Sequence, residues 1–221
     1  MNICAIIKDE PKHYLDEWVD HHDKLFTKIY IYDNGGDLVC DHPRVKIIPF
    51  PGKVAQLKAY QYHCETNVNE YTLFIDSDEF FISDTPVSKL EYLCHKYGAL
   101  AFNWQMFGSS GIVESTTIPQ MEKFTMALPW EHQVNKHMKT MVNTNNVKKW
   151  LNPHEVSLFE GRYDRDVTNG HTDYVDCDLG FINHYYCRSK NDFLSKINRG
   201  RADCDRTYSL ENFTAVDREC I

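Results

Sequence analysis

Two carboxylates at the end of an apolar run, Asp76 and Asp78, are the residues of this 221-residue chain whose spacing points most directly to chemistry. The run is Tyr71-Thr72-Leu73-Phe74-Ile75, and Glu79-Phe80-Phe81 follows the Asp76-Ser77-Asp78 triplet. In extended chain, residues two apart face the same side, so both carboxylates reach one cation together. Hard oxygen ligands at this spacing suit Mg²⁺ or Mn²⁺, ions that keep coordination positions open for a phosphate. Most Asp-x-Asp triplets are solvated turns or helix caps. Here, negative charge set among apolar side chains calls for a compensating cation or donor. Glu79 faces away from its two neighbours and reads as a structural acceptor.

Such a pair needs a scaffold that brings other loops to the same place. The apolar run reads as a strand buried on both faces, and ligands of open α/β sheets bind beyond the carboxyl ends of the strands. Further strands are expected at 3–7, 28–32, 45–50, 99–107, 139–142 and 180–186. Helices are expected at about 12–24 and 86–97, with a further one outlined by Val54, Leu57, Tyr60 and Cys64. Asp9-Glu10-Pro11 offers a cap and a first-turn proline to the first helix. A last helix at 191–199 has Ser189 as N-cap and Gly200 as its stop. The polar, irregular stretch 112–135 reads as loops around a site. The fold class is therefore α/β, a Rossmann-like, mostly parallel (mixed) sheet flanked by helices in a single domain. That domain spans 1–202, with 203–221 as a C-terminal extension or linker.

Composition narrows the partners. With 24 basic and 32 acidic side chains the net charge is −8, which speaks against nucleic acid and anionic membranes. No apolar run approaches the roughly 20 residues of a membrane span, and no basic leader precedes the first strand. A soluble cytoplasmic chain is expected, and a host cytoplasm if it is viral. Its eight cysteines, none at CxxC spacing, read as reduced thiols. No P-loop lysine motif and no G-x-S-x-G elbow is present.

Several segments in register resemble a known group. They are Lys8-Asp9-Glu10, Tyr14-Leu15-x-Glu17-Trp18-x-x-His21-His22, Ile31-Tyr32-Asp33-Asn34 and Phe74-Ile75-Asp76-Ser77-Asp78-Glu79-Phe80. Asn103-Trp104-x-x-Phe107-Gly108-Ser109-Ser110-Gly111, Asn183-His184-Tyr185 and Lys196-x-x-Arg199-Gly200 continue the pattern. Together they resemble the GT-A glycosyltransferases grouped as DUF23, family 92-like or "glycosyl transferase family 2" proteins. A small viral member that decorates a capsid glycoprotein is similar in size and start. The resemblance implies a GT-A fold and a metal-dependent transfer from a UDP- or TDP-sugar to a hydroxyl of a glycan or glycoprotein, with inversion favoured. Larger eukaryotic members carry a membrane anchor and stem that this chain lacks.

The same resemblance suggests roles. Asp78 would ligate Mn²⁺ or Mg²⁺ directly, with Asp76 acting through water or the ribose. His184 is the first candidate for a third ligand and His154 the second; the bland reading of His184 is a buried, backbone-bonded histidine. Lys196, Arg199 and Arg201 would grip the diphosphate, or form an ordinary basic helix end. Asp33 would accept a uracil or thymine imide, or simply shape its turn. Lys8, Glu10, Gln56, Lys58 and Ser77 are donor-side candidates, and Ser109 and Ser110 offer amides and hydroxyls to a sugar. An inverting transfer needs a base, for which Glu114, Glu131 and His132 are candidates. Two alternatives stand beside this one. A sugar nucleotidyltransferase usually shows a glycine-rich loop after its first strand, where Lys8-Asp9-Glu10-Pro11 stands here. A non-catalytic carbohydrate-binding protein would not need Asp76, Asp78 and His184 intact.

Overall fold

The apolar runs become the centre of one nine-stranded sheet in the computed structural model, which describes residues 1–221 apart from 203 and 206. Strand β1 (Asn2–Ile7) is buried along its whole length because it is paired on both edges. Helix α1 (Lys12–His22) leads to β2 (Ile29–Asp33), parallel to β1, and β3 (Val45–Pro49) adds in parallel at the sheet edge. Helix α2 (Gln56–Thr66) leads to β4 (Tyr71–Phe74), which lies parallel to β1 on its other side.

Beyond β4 the chain turns through Asp76-Ser77-Asp78 into β5 (Glu79–Ile82). Helix α3 (Val87–Tyr97) and the nine-residue β6 (Gly98–Met106) follow. After the single turn α4 (Gln120–Lys123), strand β7 (Met138–Asn143) inserts antiparallel between β4 and β6. A hairpin of β8 (Val147–Trp150) and β9 (Val156–Leu158) comes next, then β10 (Arg162–Tyr163) beside the start of β6. A small ribbon of β11 (Val167–Thr168) and β12 (His171–Thr172) precedes β13 (Phe181–His184), which runs parallel to β6 and antiparallel to β5. Helices α5 (Lys190–Arg199) and α6 (Leu210–Asp217) end the chain. The main path is β3-β2-β1-β4-β7-β6-β13-β5. This is the mixed, mostly parallel, helix-flanked sheet of a Rossmann-like GT-A-type fold.

Two apolar layers hold it. One packs Leu15, Trp18, Phe26, Leu90 and Phe102 on one face; the other packs Tyr30, Tyr60, Phe74 and Trp150 on the opposite face. Each such side chain taken from water contributes about 1.5–3 kcal/mol. Among the described residues no cysteine is in a disulfide, and no helix is long and apolar enough to cross a membrane.

Two local outcomes differ from expectation. Pro11 precedes α1 rather than opening it, and no side chain caps that helix. Asp9 instead adopts a left-handed φ of 47° and packs against Gly35, where any Cβ would strike its carboxylate. Strand β5 is not legible in the sequence, because the two residues after Glu79 read as part of an apolar continuation without a turn signal. Residue 203, the expected start of the extension, lies outside the described residues. Further on, Ser209 caps α6, Phe213 packs on Phe193, and Ile221 exchanges two backbone hydrogen bonds with Ala127.

Candidate functional site

Topology gathers the site. Because β1 and β4 are parallel neighbours, Lys8 and the Asp76–Asp78 turn emerge at the same edge of the sheet. Strand β13 pairs with β5 so that His184 lies opposite Glu79, and the Tyr185 amide donates to the Asp78 carbonyl at 2.8 Å. Strand β6, beside β13, adds Trp104 and Met106. Helix α5 follows after a short link and lays Lys196 and Arg199, one helical turn apart, along the opposite wall. Ser189 fixes its start with a capping box, its hydroxyl accepting from the Asp192 amide at 3.1 Å.

The result is a crevice of about 210 Å³ lined by Lys8, Gln56, Asp76, Ser77, Asp78, His184, Lys196, Arg199 and Arg201, with Trp104, His154 and Tyr186 among its walls. The two aspartates have separate partners. Asp76 takes Lys139 Nζ at 2.6 Å and Gln56 Nε2 at 2.7 Å. Asp78 takes Lys196 Nζ at 2.6 Å and lies 3.5 Å from His184 Nε2. Burial alone would raise the Asp78 carboxyl, but Lys196 and His184 outweigh it and hold it well below the usual carboxylate range. Burial lowers His184 despite the opposing attraction of Asp78.

Glu79 is completely buried; its Oε2 accepts the Asp76 amide at 2.8 Å and lies 3.4 Å from Lys139 Nζ. Its Oε1 and His184 Nδ1 are both buried without a hydrogen-bond partner among the described residues and sit 3.8 Å apart. Burial pushes Glu79 up, with Lys139 opposing. Burial disfavours the charge of Lys139, yet Asp76 and Glu79 raise it further.

Lys8, just past the end of β1, donates its ammonium to the Arg199 carbonyl at 3.1 Å. Arg199 reaches back to the Asp9 carbonyl at 3.1 Å and to Glu10 at 2.9 Å. The loop after β1 is thus stitched to the end of α5.

Other residues singled out in the sequence do not line the crevice. Glu10 lies behind it, its carboxylate between Arg188 at 2.6 Å and Arg199. Asp33 accepts the amides of Gly35, Gly36 and Leu38, so its oxygens shape the turn. Lys58 is on the exposed side of α2. Ser109 and Ser110 accept backbone amides of Gly111, and of Thr125 and Met126. Glu114 accepts from Asn191, Glu131 is exposed, and His132 faces Glu219. The structure does not bring these last three to the crevice.

Sequence reasoning missed Lys139 and Arg188. Lys139 is a lone charge inside the buried strand β7, and that anomaly was its available signal. Arg188 sits between β13 and α5 with a left-handed φ of 50°, uncommon for a side chain with a Cβ. Its guanidinium donates to Gln120 at 2.7 Å and to the Ser77 carbonyl at 3.1 Å, pairs with Glu10, and stacks on Tyr14. It ties the Asp76–Asp78 turn to the rest of the site, through contacts too distant in sequence to leave a local pattern.

No group of three or more His, Cys, Asp or Glu side chains poised around a metal occurs among the described residues. The expected trio is split: Asp78 and His184 face each other, while Asp76 is turned to Gln56 and Lys139. What remains is two carboxylates on one crevice. That donor set fits Mg²⁺ or Mn²⁺ taking its other ligands from water and a substrate phosphate, rather than a closed protein cage.

No family model matches the chain, and no curated protein matches it. Solved structures do. HddC from Yersinia pseudotuberculosis matches with a TM-score of 0.47 at 10% identity, over 88% of this chain and 96% of that one. A 2-C-methyl-D-erythritol 4-phosphate cytidylyltransferase from Thermus thermophilus matches at 0.37 and 12%, over 63% and 69%. A protein named as a putative glucose-1-phosphate thymidylyltransferase, from Bacillus anthracis, matches at 0.38 and 13%, over 65% and 72%. The glycosyl transfer expected from the sequence is corrected: no family 92-like model matches, and two of the structures just described bear the names of nucleotidyltransferases. The likeness itself is one of fold.

Proposed function

We propose that the crevice binds a nucleoside triphosphate with a divalent cation and transfers its nucleotidyl group to a phosphorylated acceptor of the sugar-phosphate class. One observation carries this: Lys8, Lys196 and Arg199 line the same small crevice as Asp76 and Asp78. A polyphosphate complexed with a divalent ion needs both signs of charge at once, cations for its oxygens and carboxylates for its metal. In a protein of net charge −8, cations so placed offset a field that would otherwise repel the substrate.

The chemistry asks for no general base. A phosphate monoester oxygen of the acceptor already carries charge; it attacks the α-phosphorus, a P–O bond forms, and the bond to pyrophosphate breaks. The absence of Glu114, Glu131 and His132 from the crevice is no obstacle to such a reaction. Lys8 and Arg199 would hold the departing pyrophosphate, the guanidinium forking across two oxygens. A cation on Asp76 and Asp78, when bound, draws charge from the phosphate oxygens as a Lewis acid. Gln56 and Lys139 fix Asp76, and Arg188 fixes the Ser77 carbonyl, so the carboxylates are set before substrate arrives. The glycine-rich loop usual after the first strand binds phosphate through backbone amides. Here, the loop supplies Lys8 and buttresses Arg199, with side chains taking that role.

The test is a panel of nucleoside triphosphates and sugar phosphates with Mg²⁺, followed by pyrophosphate release and mass analysis of the product. Expected is pyrophosphate in equal amount to a nucleotide-sugar product, and only with both substrates present. Release of nucleoside diphosphate from a supplied nucleotide sugar, with no pyrophosphate from any triphosphate, would overturn it.

A further inference from the structure

Each aspartate of the crevice already has a lysine, and the two lysines are not equivalent. Lys139 holds Asp76 from inside β7, is completely buried, and also lies 3.4 Å from Glu79, so sheet geometry fixes it in place. Lys196 holds Asp78 from the crevice wall, near the C-terminal end of α5, whose stop Gly200 has a left-handed φ of 77°. Its ammonium also donates to the Tyr186 carbonyl at 3.2 Å and lies 4.6 Å and 4.9 Å from the ring centres of Tyr186 and Tyr208. A carbonyl and two ring faces give this cation a resting place that persists when its carboxylate is taken by something else.

We propose that Lys196 is a stand-in cation on Asp78 which must give way before a divalent ion can enter, so that metal and triphosphate bind as a unit rather than metal first. This rests on the nucleotide reading above and adds the order of binding to it. The physical reason is charge. A divalent ion arriving alone meets an oxygen already neutralised by an ammonium at 2.6 Å, and like charges at that range repel strongly. A triphosphate arriving with the ion supplies anionic oxygens to which Lys196 can swing, so the ammonium exchanges one anion for another and Asp78 is released to the metal. The coupling is reciprocal: nucleotide tightens metal by the same factor that metal tightens nucleotide. Lys139 cannot take part, because it is completely buried in β7 and is held there by the buried Glu79 as well as by Asp76.

Mn²⁺ binding measured by electron paramagnetic resonance on the whole chain, without turnover, tests this. In the wild type, Mn²⁺ alone should bind weakly, and a non-hydrolysable triphosphate analogue should tighten it. Lys196→Met should bind Mn²⁺ alone about tenfold more tightly, the order expected for removing an adjacent like charge, and should lose most of the tightening by nucleotide. Lys196→Arg, which keeps the charge, should behave as the wild type does. A thermal melt of each variant establishes that it is folded. If wild type shows nucleotide-dependent Mn²⁺ binding and both variants bind Mn²⁺ alone no more tightly than it does, the stand-in role is wrong and the nucleotide site survives. If wild type binds no Mn²⁺ even with triphosphate, both the site and this inference fail.

Discussion

Asp78 and Arg188 show how single residues divide the work. Asp78 faces the crevice, its carboxyl held well below the usual range by Lys196 and His184 against the cost of burial. Asp78→Asn keeps the shape and removes the charge. In the wild type a triphosphate analogue with Mg²⁺, at about 100 times its dissociation constant, should stabilise the fold by about 2.7 kcal/mol. Calorimetry should show that gain abolished in Asp78→Asn; a variant stabilised as well as wild type would remove Asp78 from the site. Arg188 faces inward. Its loss leaves Glu10, buried with it, short of its main partner, which costs on the order of 3–5 kcal/mol. Urea unfolding of Arg188→Ala should show that loss, and a change under about 1 kcal/mol would mean that Arg199 alone suffices for Glu10. The sequence marks Asp78 because an acid after an apolar run is a local anomaly. It does not mark Arg188, whose partners at 10, 77 and 120 are brought to it only by the fold.

At the scale of elements, the most legible parts are those whose signals are local. The buried run of β1, the sudden acids after β4 and the Ser189–Gly200 bracket of α5 are each written in a few consecutive residues. Ser189→Ala removes the hydroxyl that accepts the Asp192 amide, and should cost about 1 kcal/mol in chemical denaturation. Because α5 carries Lys196 and Arg199, the same variant should weaken triphosphate binding more than its small stability loss explains. Unchanged affinity would show that the helix end is held from elsewhere. Strand β5 and the β8–β9 hairpin are illegible for the opposite reason: they are short, and what makes them strands is their partners. Glu79 pairs across to His184, and Trp150 to Val156, distant or irregular matches that no periodicity announces.

Across the whole molecule, histidines set the pH response. His22, His63, His137, His154 and His184 are all lowered, primarily by burial, with His63 and His137 down to about 4. In the unfolded chain each takes up a proton near pH 6.5, whereas the folded chain resists until much lower pH. The unfolded state therefore binds more protons in that window, and stability falls as pH drops from about 6.5 towards 4. Melting temperature should fall steadily as pH drops below about 6.5; a curve flat from there to about pH 5 would mean that these rings are protonated in the fold. The sheet topology accounts for the site at this scale too, since the ends of β1 and β4 must coincide for Lys8 to face the aspartates. The measurement that bears most directly on the whole account is equilibrium binding of a nucleoside triphosphate and of its monophosphate, with Mg²⁺, to wild type and Lys8→Ala. The account predicts that wild type prefers the triphosphate and that Lys8→Ala weakens it about tenfold, the worth of one charged hydrogen bond, while sparing the monophosphate. Equal affinity of wild type for the two nucleotides, untouched by the substitution, would contradict it.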